Sequence, residues 1–147
     1  MGLAIALHVI AAVVWVGGMF FAYVCLRPAT ASVDAPIRLR LWASVLSRFF
    51  RIVWASVAVL LVTGFWMFFN GVRGLHVHLM LSLGVAMMLL AAHVYFAPYK
   101  RLKRLVGIHN WAEAAKQMSQ IRLFIAINLS LGLAVVAIAA AGRYGFH

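Results

Sequence analysis

Acidic side chains are nearly missing: of 147 residues only two, Asp34 and Glu113, are Asp or Glu, and 10% of the chain is charged, against about a quarter in an ordinary soluble domain. With so few carboxylates the chain has no acid–base carboxylate pair within a span and no acidic metal cage. There is one cysteine, Cys25, which rules out an internal disulfide and a Cys-rich metal site. The sequence also lacks a phosphate-binding glycine loop, a nucleophile triad, internal repeats and low-complexity segments. Hydrolytic and nucleotide-driven chemistry therefore have no residues to rest on.

What fills the chain instead is apolar: 67% of residues are hydrophobic. Four stretches, about 2–26, 50–70, 76–98 and 122–142, each reach the roughly 20 residues a helix needs to cross the hydrocarbon core. In lipid every backbone polar group must be satisfied internally, so these spans are expected to be helices. The expected fold is all-α, a single transmembrane four-helix domain over 1–147. Residues 1–26 have no basic leader and run longer than a signal peptide's core, so they are expected to stay as a membrane helix.

The net charge of +11 is not a nucleic-acid signature, because the cations sit between the spans. Arg27, Arg38, Arg40, Arg48 and Arg51 lie in one connection; Lys100, Arg101, Lys103, Arg104, Lys116 and Arg122 lie in another. The opposite side holds Arg73 and Arg143 alone. By the positive-inside rule both long connections are cytoplasmic and both termini face outward; the expected location is a bacterial inner membrane, with both termini in the periplasm. Asp34 before Ala35-Pro36, and Asn110 with Glu113 three positions on, read as helix starts, so the connections are expected to be helical extensions with turns near 28–34 and 107–110. Gly107 is placed to end one helix, and Pro98 to kink the third. The Lys100–Arg104 run reads as a contact for anionic headgroups, and Asn128 and Ser130 as bridges between spans.

Six histidines divide by depth. His8 interrupts the first apolar span, and an ionisable group at membrane depth is a functional hypothesis by default. His76 and His78 open the third span on the same outer side; His93 lies near its inner end and is expected to be buried and hydrogen-bonded, His109 falls in the inner turn, and His147 is terminal. Two positions apart on a helix differ by about 200°, so His76 and His78 face opposite ways. Trp15 follows His8 by seven residues on the same face, where Ala11, Ala12, Gly18 and Ala22 form a narrow stripe. That stripe reads equally as close helix packing or as a flat slot for a porphyrin.

The run LHVIAAVVWVGGMFFAYVCLRP, the end TGFWMFF of the second span and GLHVHLM opening the third resemble the CopD-like membrane proteins and the related HemJ-type protoporphyrinogen oxidases. In the HemJ-type proteins the corresponding first-helix histidine is associated with haem b, and a lysine stands where this chain has His78. The resemblance implies one haem b held by His8 and His78, with Trp15 walling the slot and Arg73 and Arg143 available to the propionates. The chain would then be an oxidoreductase in a redox role, exchanging electrons with a quinone, a porphyrin or a protein partner. Copper is the alternative: His8, His76, His78 and Met80, with Met67 or Met1, gather imidazole and thioether donors that suit Cu(I). The lipid bilayer is the one partner both readings require; a homo-oligomer or a subunit role in a larger complex is open.

Overall fold

The structure is a computed structural model that describes residues 1–145. It contains four long helices and, among the described residues, no strand: α1 (Gly2–Ala29), α2 (Ala35–Phe69), α3 (Leu75–Gly107) and α4 (Trp111–Gly145). Each carries a window long and apolar enough to cross a membrane. The helices extend beyond the four apolar stretches, however. The 35 residues of α2 make about 52 Å at 1.5 Å per residue, well beyond a hydrocarbon core of about 30 Å. The excess carries the arginines and lysines, as the helical extensions require.

Two of the helices change pitch. Residues Phe21–Leu26 in α1 and Tyr95–Tyr99 in α3 are π-helical. Both segments meet a proline, Pro28 just after the first and Pro98 inside the second. Proline has no N–H to give and crowds the carbonyl four residues back. The wider turn absorbs that clash, and the kink expected at Pro98 takes this form.

The turns fall at residues 30–34 and 108–110, with three local differences from expectation. Asp34 is the N-cap of α2, but its side chain accepts no capping bond. Glu113 does not reach back to Asn110; it pairs with Lys116 at 2.9 Å, while Asn110 Oδ1 accepts from the Glu113 N–H at a long 3.4 Å. The helix α3 ends at Gly107 as expected, but the left-handed residue that follows is His109, with φ 59°. In the opposite connection Gly71 and Gly74 have φ of 97° and 146°, values an L side chain adopts only under strain.

The chain forms two antiparallel hairpins, α1 with α2 and α3 with α4, and α4 packs on all three other helices. Helices α2 and α3 meet mostly at their basic ends and splay toward the connection that joins them, and the backbones of α1 and α3 stay apart at opposite corners. Lipid offers helices no hydrophobic reason to associate, so small residues at the contacts decide how closely they pack. Ala11 and Ala22 of the α1 stripe are buried, which makes the stripe a packing surface. Asn128 of α4 bridges as expected, its Nδ2 donating to the Met87 carbonyl of α3 at 3.3 Å; the Ser130 hydroxyl turns back on Ala126 of its own helix.

A close contact between helix backbones lies at the end that bears the termini. A Cβ added at Gly142 would sit 2.8 Å from His76 Cβ and 3.0 Å from its Cγ, atoms too near the α3 backbone to swing aside. Gly142→Ala is therefore expected to lower stability by about 1–3 kcal/mol through overpacking, read as a shifted midpoint in detergent-denaturation curves. An unchanged midpoint would show that α3 and α4 do not approach so closely.

Candidate functional site

His8 is half-buried on the face of α1 that also carries Ala11 and Trp15, and it looks onto α2. Its Nδ1 lies 2.8 Å from Thr63 Oγ1. The same hydroxyl lies 2.6 Å from the Val59 carbonyl, one turn back on α2. A carbonyl only accepts, and a hydroxyl has one proton, so Thr63 donates to Val59 and accepts from His8. The imidazole proton is thereby held on Nδ1, and the lone pair is left on Nε2. Gly64 makes room for the ring: a Cβ there would stand 3.3 Å from His8 Cε1. Thr63 is buried, and the half-buried Met67 follows it by one turn on the same face of α2.

Depth across the bundle can be referred to Gly132 of α4, which faces both Val16 of α1 and Met87 of α3. A Cβ at Gly132 would lie 2.9 Å from Val16 Cγ2 and 3.1 Å from Met87 Cε. Counting toward the termini from that level at 1.5 Å per residue, His8 is about 12 Å up α1, Met80 about 10 Å up α3 and His76 about 16 Å. His8 thus lies at a level between Met80 and His76. Gly142, against which His76 packs, belongs to the same layer.

Of the paired histidines, His76 rather than His78 lies on the packed side of α3. His76, Met80 and Leu83 are half-buried and Met87 is buried, so this is the inward face of α3. His78, Ser82, Val85 and Leu89 are exposed to the surroundings of the bundle. The His78 ring packs edge-on against Phe68 of α2 at 5.9 Å. His93 is likewise exposed, packed against Phe124 at 5.2 Å, so it is not a buried hydrogen-bonding residue.

The other sequence candidates also find their places. Trp15 is 3% exposed, in the middle of the bundle. The cavity it lines with Met19, Leu46, Phe49 and Asn128 is about 30 Å³, whereas ligand pockets run to about 300–1,000 Å³. Asn128 Oδ1 is buried there without a partner, and the space suits a water. Among the described residues the space beside Trp15 is this small cavity, well below the size a porphyrin needs. Arg73 is exposed in the short connection; the side chain of Arg143, and all of His147, lie outside the described residues.

The layer at the terminus-bearing end is therefore His8 on one wall, His76 and Met80 on another, and Met67 on the helix that holds His8. Among the described residues no three His, Cys, Asp or Glu side chains are close enough to hold a metal ion, so the three-histidine cluster is not assembled. What is present is imidazole and thioether, a soft donor set. Thr63 was missed in the sequence reading, although a hydroxyl inside an apolar span, followed at once by glycine, marks a point where another helix can approach and bond.

Searches of curated proteins and of solved structures gave no match to this chain. The family described as "CopD: Copper resistance protein D" matches residues 43–141, a segment that spans most of α2, all of α3 and most of α4. This multi-pass membrane chain belongs to the CopD family.

Proposed function

We propose that the chain handles copper, as Cu(I) cargo, at the end of the bundle where its termini lie, with His8 Nε2 as the first donor. The observation that carries this reading is the hydrogen-bond relay from His8 through Thr63 to Val59. It fixes the tautomer and orients the ring, which is the arrangement outer partners impose on metal-binding histidines. The family description supports the metal, and the soft donors Met80 and Met67, with His76, supply partners at the same depth. His78, on the outward face, has no part in it. By the positive-inside count this end is periplasmic in a bacterial inner membrane, so the ion is met outside the cytoplasm.

Haem b ligated by His8 and His78 is the competing assignment, and with it the quinone- or porphyrin-linked redox chemistry. The exposure of His78 and the small size of the cavity beside Trp15 lend it no support. A visible spectrum of detergent-purified protein made with ample haem, before and after dithionite, separates the two. A stoichiometric Soret band would replace the copper reading with the haem one.

Competition for Cu(I) against a chromophoric chelator is expected to show His8→Ala weakening binding by about 100-fold or more, and His78→Ala leaving it unchanged. Loss on His78→Ala with retention on His8→Ala would put the site on the other face of α3. Thr63→Val keeps the shape but removes the relay, and it should cost about 10–100-fold in copper affinity, the range found when an outer-shell partner is removed. Wild-type affinity in Thr63→Val would show that the relay does not prepare His8 for a metal.

A further inference from the structure

A second site lies at the opposite, basic end, in a cavity of about 280 Å³ between α2 and α3. Ser47, Phe50, Arg51 and Trp54 line it from α2; Tyr95, Tyr99, Lys100 and Lys103 line it from α3. The floor is aromatic. Phe50 is edge-on to Tyr95 at 5.2 Å and tilted on Tyr99 at 4.9 Å, and Trp54 is edge-on to Tyr95 at 5.5 Å. Phe50 and Tyr99 are buried, so the floor is part of the packed core.

The rim is cationic and has no internal counter-charge. Arg51, Lys100 and Lys103 surround the opening, and the chain's two carboxylates are Asp34 and Glu113, neither of which lines it. Glu113 is paired with Lys116. Three cations around one small cavity repel one another unless an anion joins them. The π-turn helps build the rim: its wider turn sets residues five apart over each other. Lys100 Nζ sits 4.9 Å from the Phe96 ring, four residues back, and 5.7 Å from the Tyr95 ring, five residues back.

We propose that this cavity binds the phosphate of an anionic phospholipid, with Arg51, Lys100 and Lys103 around the headgroup and the rings below it. The volume suits a phosphoglycerol headgroup. Below the opening the aromatic wall continues through Trp54 to Phe96, 6.1 Å apart, and Phe96 is 60% exposed. That outward apolar face gives the acyl chains a path along the helix, which a free phosphate would not use. Aromatic rings and basic side chains at one depth are also the combination found where a helix crosses the membrane surface.

The test is native mass spectrometry of the full chain in detergent, titrated with dioleoylphosphatidylglycerol or dioleoylphosphatidylcholine. The wild type should bind one phosphatidylglycerol at least about 10-fold more tightly than phosphatidylcholine. Arg51→Gln with Lys103→Gln should abolish that preference. Arg40→Gln with Arg48→Gln removes the same charge from the same basic end, at exposed positions outside both the cavity and the 100–104 run, and should preserve it. Equal binding of the two lipids by the wild type, or equal loss in both double variants, would overturn the site. Inorganic phosphate that displaces the lipid at matched concentration would assign the cavity to free phosphate and overturn the lipid. If the first double variant does not fold, Lys103→Gln alone, at an exposed position, should shift the preference in the same direction; an unshifted preference there would count against the site.

Discussion

The bond between His8 and Thr63 is the constraint on which the rest of the terminus-bearing half depends. It joins α1 to α2 inside the apolar zone, where water cannot take over either group's hydrogen bonds. In energy it is modest, since polar contacts between membrane helices average about 0.6 kcal/mol and reach about 1.7. Its effect on chemistry is larger. With the Thr63 proton committed to Val59, the imidazole has one way to bond, and its remaining lone pair is available for an ion.

The bundle is polarised along its axis, and the two ends have different chemistry. Near the termini the charges are few and the helices α2 and α3 splay, leaving imidazole and thioether groups in a layer with small α4 residues beside it. At the other end α2 and α3 close together, the helices project past the hydrocarbon, and cations gather over stacked aromatic rings. A protein with 13 basic and two acidic residues cannot neutralise that end by itself. On the proposed lipid site the bilayer's anionic surface would supply the counter-charge, and by the positive-inside rule the same asymmetry would set the chain's orientation.

Much of the fold is legible in the residues because the bilayer reduces the choices. Twenty apolar residues in a row permit one backbone form, and the placement of Arg and Lys marks the ends. Helical phase around α3 is not legible in the same way. That helix is apolar on every side, so hydrophobicity gives no inward face, and His76 and His78 can be told apart only once Gly142 shows which one meets α4. The α1 stripe is ambiguous for a related reason: small residues serve both close packing and a cavity wall, and only the burial of Ala11, Trp15 and Ala22 in three dimensions speaks for packing. Thr63 carried a readable signal, a hydroxyl beside a glycine in an apolar run, but its partner 55 positions away could be found only in three dimensions. The cationic cavity was equally hidden, since its two walls are spaced properly along α2 and α3 but belong to different spans.

The central claim is that His8, held by Thr63, presents Nε2 to copper among thioether partners. X-ray absorption at the copper edge, on the detergent-purified chain loaded with Cu(I), tests it most directly. A mixed shell of imidazole nitrogen and thioether sulfur is expected, with imidazole scattering that falls in His8→Ala. An imidazole contribution that is unchanged in that variant, or a shell of oxygen alone in the wild type, would contradict it.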